Sequence, residues 1–383
     1  MEKSIILRNL AASILLKTNS MDILKNNYCI ILAGGRGKRL WPTSRLECPK
    51  QFVDFFGTGK TQLQTTFDRI GKILPRENIY VCTCKEYEHW VFEQVPDLRS
   101  DHVLSEPVNR NTAPSVAWAG VRIHRECEDA RVLIVPSDQI IVDEEAYIRN
   151  VSSGLDYVAK NDIMLTMGIR PSRPEPGYGY IQMGEATDED GIYRVQSFTE
   201  KPEREFARLF MESGEFLWNT GMFLSNASHL RDFFFDVIRD MPYRMAKIKT
   251  FMPDDNELQY VNTYYPAYPN LSMDKAALEL SDNVCVMCCD FGWADLGTWH
   301  SIYECMQKGD DDNVVIDSEV ILENCRGNVV KLPKGHIGVI NGLEGYIVAE
   351  QGDVLLICKK GDSSSLIRKY VSEVGIKYGE KYI

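Results

Sequence analysis

The chain has 383 residues, 44% of them hydrophobic and 26% charged, enough for one large domain and a smaller one. A formal charge of −12 argues against a general nucleic-acid binder, whose footprint would be basic, but leaves room for one nucleotide in a locally basic pocket. No apolar run approaches the ~20 residues of a membrane span, so no membrane partner is expected.

Residues 1–20 carry Lys3, Arg8 and Lys17 against the single acid Glu2. Arg8 and Asn9 interrupt the apolar stretch, which is not the pattern of a secretory signal. Met21 lies just ahead of the first strand. Residues 1–26 therefore read as an N-terminal extension, with residues 1–20 expected to be dispensable and outside the native start.

An apolar strand, Tyr28–Leu32, runs straight into Gly34-Gly35-Arg36-Gly37. Three cations follow: Lys38, Arg39 and Lys50. Glycines let a backbone approach a phosphate closely, and cations after such a loop neutralise a triphosphate. A dinucleotide fingerprint is excluded, because Leu40 stands where a third glycine is needed. Gly57-Thr58-Gly59-Lys60-Thr61 imitates a P-loop, but its first required glycine falls at Asp54. That stretch reads as a turn, with Thr61 capping a helix through Ile70. An ordinary strand-end turn is the plainer reading of Gly34–Gly37. The cations and Pro49-Lys50-Gln51-Phe52 weigh against it.

Further strands are predicted at Ile79–Thr83, Val103–Ser105, Val132–Val135 and Ile163–Ile169. Helices are predicted at Thr61–Ile70, Tyr87–Phe92, Ala113–Arg125 and Glu144–Val158. That alternation predicts an α/β fold: a Rossmann-like, doubly wound, mainly parallel sheet with its ligand at the carboxyl ends of the strands. From about 170 to 305, short strands (Gly179–Gln182, Tyr193–Phe198, Met222–Leu224) alternate with helices. Beyond residue 308 come short apolar steps every six to eight residues, as in a small β-helix-like unit, with a β-roll as the alternative. The expected division is residues 27–306 and 313–383. The tail beyond Gly361 matches no motif.

The chain has eleven cysteines. Cys82 and Cys84, and Cys285, Cys288 and Cys289, form two clusters whose spacing does not match structural zinc. Both lie in strand-like runs and read as buried thiols. An odd count without a signal segment fits a reducing cytoplasm.

Five motifs carry candidate chemistry. Val135-Pro136-Ser137-Asp138 ends a strand, and Asp295 lies in Gly292-Trp293-Ala294-Asp295-Leu296-Gly297. Each aspartate could simply cap a turn or helix. Together they suit Mg²⁺, which takes one or two carboxylates plus substrate phosphates. Glu200-Lys201-Pro202 can meet sugar hydroxyls and a phosphate, or be an exposed turn before a helix. Trp218-Asn219-Thr220-Gly221 offers a polar pair, or a strand-edge bulge. Glu106-Pro107-Val108-Asn109-Arg110-Asn111-Thr112-Ala113-Pro114 enters a helix whose N-terminus favours anions, with Thr112 the predicted cap.

Taken together, LAGGRGKRLWP, PKQF, EPVNRNTAP, PSDQ, FTEKP, WNTGMF and GWADLGTW resemble the sugar-1-phosphate nucleotidylyltransferases, and among them the mannose-1-phosphate guanylyltransferases. The resemblance covers roughly residues 27–360. It implies that Leu32, Ala33, Gly34, Gly35 and Gly37 wrap the nucleotide, and that Arg39 and Lys50 hold the triphosphate. It puts Glu106, Asn111, Thr112 and Ala113 around guanine and ribose. Asp138 and Asp295 would bind a catalytic Mg²⁺. Gly179, Glu200, Asn219 and Thr220 would contact mannose, and Lys201 its phosphate. GTP and mannose 1-phosphate are the implied substrates, and a homodimer is the expected assembly. Longer relatives carry an appended cupin-type isomerase domain; this chain is expected to lack that activity.

Overall fold

The computed structural model describes residues 25–238, 253–361 and 363–383. The extension expected over residues 1–20 lies outside the described residues.

Four strands set the frame: β1 (Asn27–Leu32), β2 (Ile79–Cys84), β3 (Val103–Glu106) and β4 (Arg131–Pro136). Their near-continuous apolar runs are those of strands buried on both faces. β1 pairs in parallel with β2 and β4, and β2 with β3. A short ladder joins β5 (Gln139–Ile141) to β11 (Trp293–Asp295). The remaining strands of the large sheet are β6 (Met164–Ile169), β7 (Gly179–Ala186), β8 (Ile192–Glu200), β9 (Phe216–Asn226) and β10 (Val284–Cys289). The nine-strand order is β3-β2-β1-β4-β9-β6-β10-β8-β7.

That sheet is mixed, which corrects the expectation of a mainly parallel one. β9 enters mid-sheet and runs antiparallel to β4, β6 and β7; β8 runs antiparallel to β7 and β10. An apolar run reports burial, not direction, so the pattern that located the strands could not orient them.

Helices cover both faces. On one side lie α1 (Gln62–Ile70), α2 (Glu88–Gln94) and α4 (Glu144–Val158), with Leu63, Phe67, Val91 and Val151 in one core. On the other lie α3 (Thr112–Glu126) and α6 (Ala227–Val237), with Val116, Trp118 and Leu230 in a second. α5 (Arg204–Ser213) packs beside β9, and α7 (Pro253–Tyr264) leads to the loop before β10. Thr61 caps α1 through a reciprocal box with Gln64. The P-loop imitation before it is a turn in which Asp54 accepts from the Thr58 and Gly59 amides.

Cys82 and Cys84 of β2 are separated from Cys285, Cys288 and Cys289 of β10 by four intervening strands, and all eleven cysteines are free.

A third core joins the glycine-loop region to the end of the chain. Leu40, Trp41 and Phe55 pack with Trp299 and Ile302 of α8 (Trp299–Cys305). The same cluster takes in β12 (Val314–Ile316), β14 (Val329–Lys331) and β16 (Tyr346–Gln351), and Ile367 and Val371 of α9 (Ser363–Tyr378). β12, β14 and β16 stack in parallel. So do β13 (Glu319–Glu323) and β15 (Ile337–Asn341), while β17 (Val354–Lys359) returns antiparallel to β16. The tail also clasps the segment after the glycine loop. Trp41 Nε1 donates to the Tyr382 carbonyl at 2.7 Å, and the Leu46 amide to Ile383 O at 2.8 Å.

Candidate active site

The glycine loop leaves the C-terminal end of β1 and is braced from behind. Gln51 Nε2 donates to Ala33 O at 2.8 Å and to Gly35 O at 2.9 Å. Ser44 Oγ accepts from the Lys50 amide at 3.0 Å. Gly37 has φ +60°, and a Cβ there would lie 2.4 Å from Ser44 Oγ and 3.0 Å from Lys50 Cγ. Glycine is required at this position by both conformation and space.

A cavity of ≈ 300 Å³ lies beside this loop, walled by Leu32, Gly34, Gly35, Glu106, Asn111 and Asp138 among others. Four separate stretches of sequence therefore meet in one crevice at the strand ends. Glu106 is buried in its wall and accepts from Ser115 Oγ at 2.6 Å. Burial raises its carboxyl to about 7, against hydrogen bonds from Ser115 and Tyr265 that favour the ionised form.

The entrance to α3 differs from expectation in one detail. Asn111, not Thr112, is the cap: its Oδ1 accepts from the Thr112 amide, and its φ is +67°. Asn tolerates positive φ better than Thr, whose β-branch disfavours it. Thr112 Oγ1 instead accepts from the Met273 amide at 2.7 Å, and the Ala113 amide donates to Leu271 O at 3.0 Å. Both residues anchor the loop before β10 to α3.

The charged centre forms where β5 and β11 pair, placing Asp295 opposite Gln139 and hence next to Asp138. Lys50 Nζ is ion-paired with Asp138 and donates to Leu296 O at 3.1 Å. Burial alone would lower the Lys50 pKa; Asp138 and Asp295 outweigh it and hold the ammonium above its ordinary value. Burial raises the Asp295 carboxyl and Asp138 adds to that, opposed by Lys50 and Arg39. Gly297 marks how tight the centre is. A Cβ there would meet Asp295 Oδ2 at 2.2 Å and Arg39 Nη2 at 3.1 Å.

The second half of the crevice is built on β7, β8 and β9. Asn219 Nδ2 donates to Asp274 Oδ1 at 2.6 Å, and Asn219 Oδ1 accepts from the Gly221 amide. Burial raises the Asp274 carboxyl, partly offset by that Asn219 bond. Glu200 and Lys201 are ion-paired, and both act electrostatically on Asp274. Gly179 lies under them, where a Cβ would come within 2.7 Å of the Phe198 ring and 3.0 Å of Glu200 Oε2. Thr220 is placed differently. Its hydroxyl donates to Met167 O at 2.7 Å inside the sheet, so its role there is to hold β9 against β6.

Asp274, Ser115, Tyr265 and Gln51 were not foreseen. Asp274 sits in Ser272-Met273-Asp274, a stretch with no glycine, cation or strand end to flag it. Gln51 belonged to a motif already singled out.

Among the described residues no group of three or more His, Cys, Asp or Glu converges as a metal cluster. Asp138 and Asp295 are nevertheless a fitting pair for a divalent cation. They are two neighbouring carboxylates whose repulsion a cation relieves, at the edge of a cavity that admits phosphate oxygens.

Comparison with known proteins agrees with this geometry. Residues 28–311 match the nucleotidyl transferase family. The chain is 32% identical over 365 residues to a mannose-1-phosphate guanylyltransferase of Salmonella montevideo, covering 92% of this chain and 75% of that one. It is 34% identical over 335 residues to the alginate biosynthesis protein AlgA of Pseudomonas aeruginosa, covering 86% and 69%. The crystal structure of a mannose-1-phosphate geranyltransferase from Thermus thermophilus superposes with a TM-score of 0.78 at 29% identity, over 91% of this chain and 99% of that one. A glycine loop, two cations and two carboxylates gathered at the ends of a mixed sheet, within a matched span of this length, place the chain in the nucleotidyl transferase family.

Proposed function

We propose that the chain transfers GMP from GTP to α-D-mannose 1-phosphate, releasing pyrophosphate and forming GDP-mannose. The observation that carries this reading is the meeting of Lys50, Arg39, Asp138 and Asp295 beside a cavity walled by the glycine loop and Glu106. The named relatives support the choice of sugar and base.

The reaction brings two anions together, so the site must first overcome their repulsion. Leu32, Ala33, Gly34, Gly35 and Gly37 offer backbone to the nucleotide. Arg39 and Lys50 neutralise the triphosphate. Glu106 is the acceptor available to the purine's N–H donors, with Asn111 at the ribose and Thr112 and Ala113 fixing that wall. Glu200, Asn219 and Gly179 face the sugar, and Lys201 its phosphate. A phosphate oxygen of the sugar attacks the α-phosphorus in line; the bond to the bridging oxygen breaks, and pyrophosphate leaves. Once ionised, the sugar phosphate needs no general base, so the protein contributes positioning and charge stabilisation. Asp138 and Asp295 would hold a divalent cation, which we take to be Mg²⁺ and which supplies charge neutralisation at the phosphates. Lys50, now on Asp138, would then turn to the phosphates.

The same reading divides the chain into a Rossmann-like catalytic unit, residues 27–306, and a β-helix-like unit, residues 313–383. The parallel stacking of β12, β14 and β16 supports the second. It also takes the chain as a cytoplasmic homodimer, for which sedimentation is the check. No helix among the described residues is long and apolar enough to cross a membrane.

Pyrophosphate release from GTP and Mg²⁺ with mannose 1-phosphate or glucose 1-phosphate tests the proposal. Release is expected with mannose 1-phosphate, and turnover should fall by about 10²-fold or more in Lys50→Ala and Asp138→Ala. Release with glucose 1-phosphate alone would move the sugar assignment. No release from folded protein that binds GTP would leave a nucleotide sensor.

A further inference from the structure

A second cavity, of ≈ 650 Å³, opens on the face of the sheet covered by α4. It shares no lining residue with the nucleotide cavity. Trp218 and Asn219 are successive in β9 and so point to opposite faces. Asn219 serves the catalytic crevice, and Trp218 walls this one.

The lining is rich in donors. Arg170 and Arg173 both reach it, with Trp218 and Trp293. Arg173 Nε, Trp218 Nε1 and Trp293 Nε1 are buried N–H groups that find no acceptor among the described residues. All three atoms are closed to solvent, so they make the wall polar without being open to a ligand. Acidic neighbours offset only part of the donor-rich lining. Arg173 Nη2 lies 3.3 Å from Glu175 Oε2, and Asp290 is the acid on the lining. The guanidinium carbon of Arg173 lies over the Trp218 ring, 5.1 Å from its centre.

We propose that this cavity binds a phosphate ester carried on a sugar ring. The planar forks of Arg170 and Arg173 match phosphate oxygens. Trp218 and Trp293 offer apolar faces for the ring. The volume exceeds that of a bare inorganic ion and is about twice that of the nucleotide cavity. A free sugar monophosphate and a sugar joined through a diphosphate share this chemistry. The inference stands apart from the catalytic reading above.

Cys288 and Cys305 line the same cavity, which gives a direct readout. Full-length protein is alkylated with iodoacetamide, and each cysteine is followed by peptide mass spectrometry, with half-buried Cys127 as the control outside the cavity. The probes are mannose 1-phosphate, GDP-mannose and inorganic phosphate. Modification of Cys288 should slow at least threefold with one or both sugar esters while Cys127 is unchanged. Protection should persist in Lys50→Ala and in Lys201→Ala, disappear in Arg170→Ala and partly return in Arg170→Lys. Protection by mannose 1-phosphate assigns the monoester; protection by GDP-mannose alone assigns the diphosphate-linked sugar. The proposal is overturned by no protection at millimolar probe, by protection from inorganic phosphate only, by protection lost in Lys50→Ala or Lys201→Ala, or by protection that survives Arg170→Ala.

Discussion

Glu106 shows how one residue's surroundings set its chemistry. Unfolded, its carboxyl ionises near the ordinary glutamate value; in the fold, burial moves that to about 7. Between those two values the fold keeps a proton that the unfolded chain has lost. Stability therefore falls as pH rises through that window, by on the order of 3 kcal/mol, and is flat above it. Glu106→Gln removes this dependence. Its melting temperature relative to the parent should rise between pH 5 and pH 7.5; an offset equal at the two pH values would take Glu106 out of the pH response. The motif around Glu106 was legible in the sequence because it is dense. Its partner Tyr265 was not, since it stands 159 positions away with no local pattern to mark it.

At the scale of the element, the entry to α3 combines a cap with backbone strain. Asn111 sits at φ +67° and ψ −162°, a region that only glycine occupies freely. Ala there loses the cap and keeps the strain; Gly loses the cap and relieves the strain. Asn111→Gly should therefore be more stable than Asn111→Ala by ~1–2 kcal/mol in thermal melts. Equal stability would mean that the backbone carries no such strain. Sequence pattern located α3 to within a residue at each end yet chose the wrong cap. Thr and Asn are both good caps, and only the backbone turn between them decides. β9 shows the same limit at larger size. Its apolar residues were visible as far as Met222–Leu224, but its length and its antiparallel insertion depend on partners remote in sequence.

Across the whole molecule, the C-terminal strands and the segment after the glycine loop share one core rather than meeting at a surface. Ile367 is fully buried among residues of both. Ile367→Ala should cost ~2–5 kcal/mol and loosen the segment that carries Arg39 and Lys50. Hydrogen exchange of the amides from Ser44 to Val53 should speed up in that variant, while those of β1 and β4 keep their protection. Unchanged exchange across Ser44–Val53 would show that the loop holds itself. The change in texture at about residue 310, with short apolar steps replacing long runs, was legible in the sequence. The dependence of one part on the other was not, because Leu40, Trp41 and Ile367 carry no mark that they belong together.

The clasp of Trp41 and Leu46 by the Tyr382 and Ile383 carbonyls has a consequence for genetics. Lesions in the last helix, or a frameshift just before it, would spare every side chain assigned to substrate and still lower activity. In a screen for loss of function they would fall into one phenotypic class with changes at Arg39 or Lys50. Suppressors of such alleles should map to the loop after Gly37, far upstream in the gene.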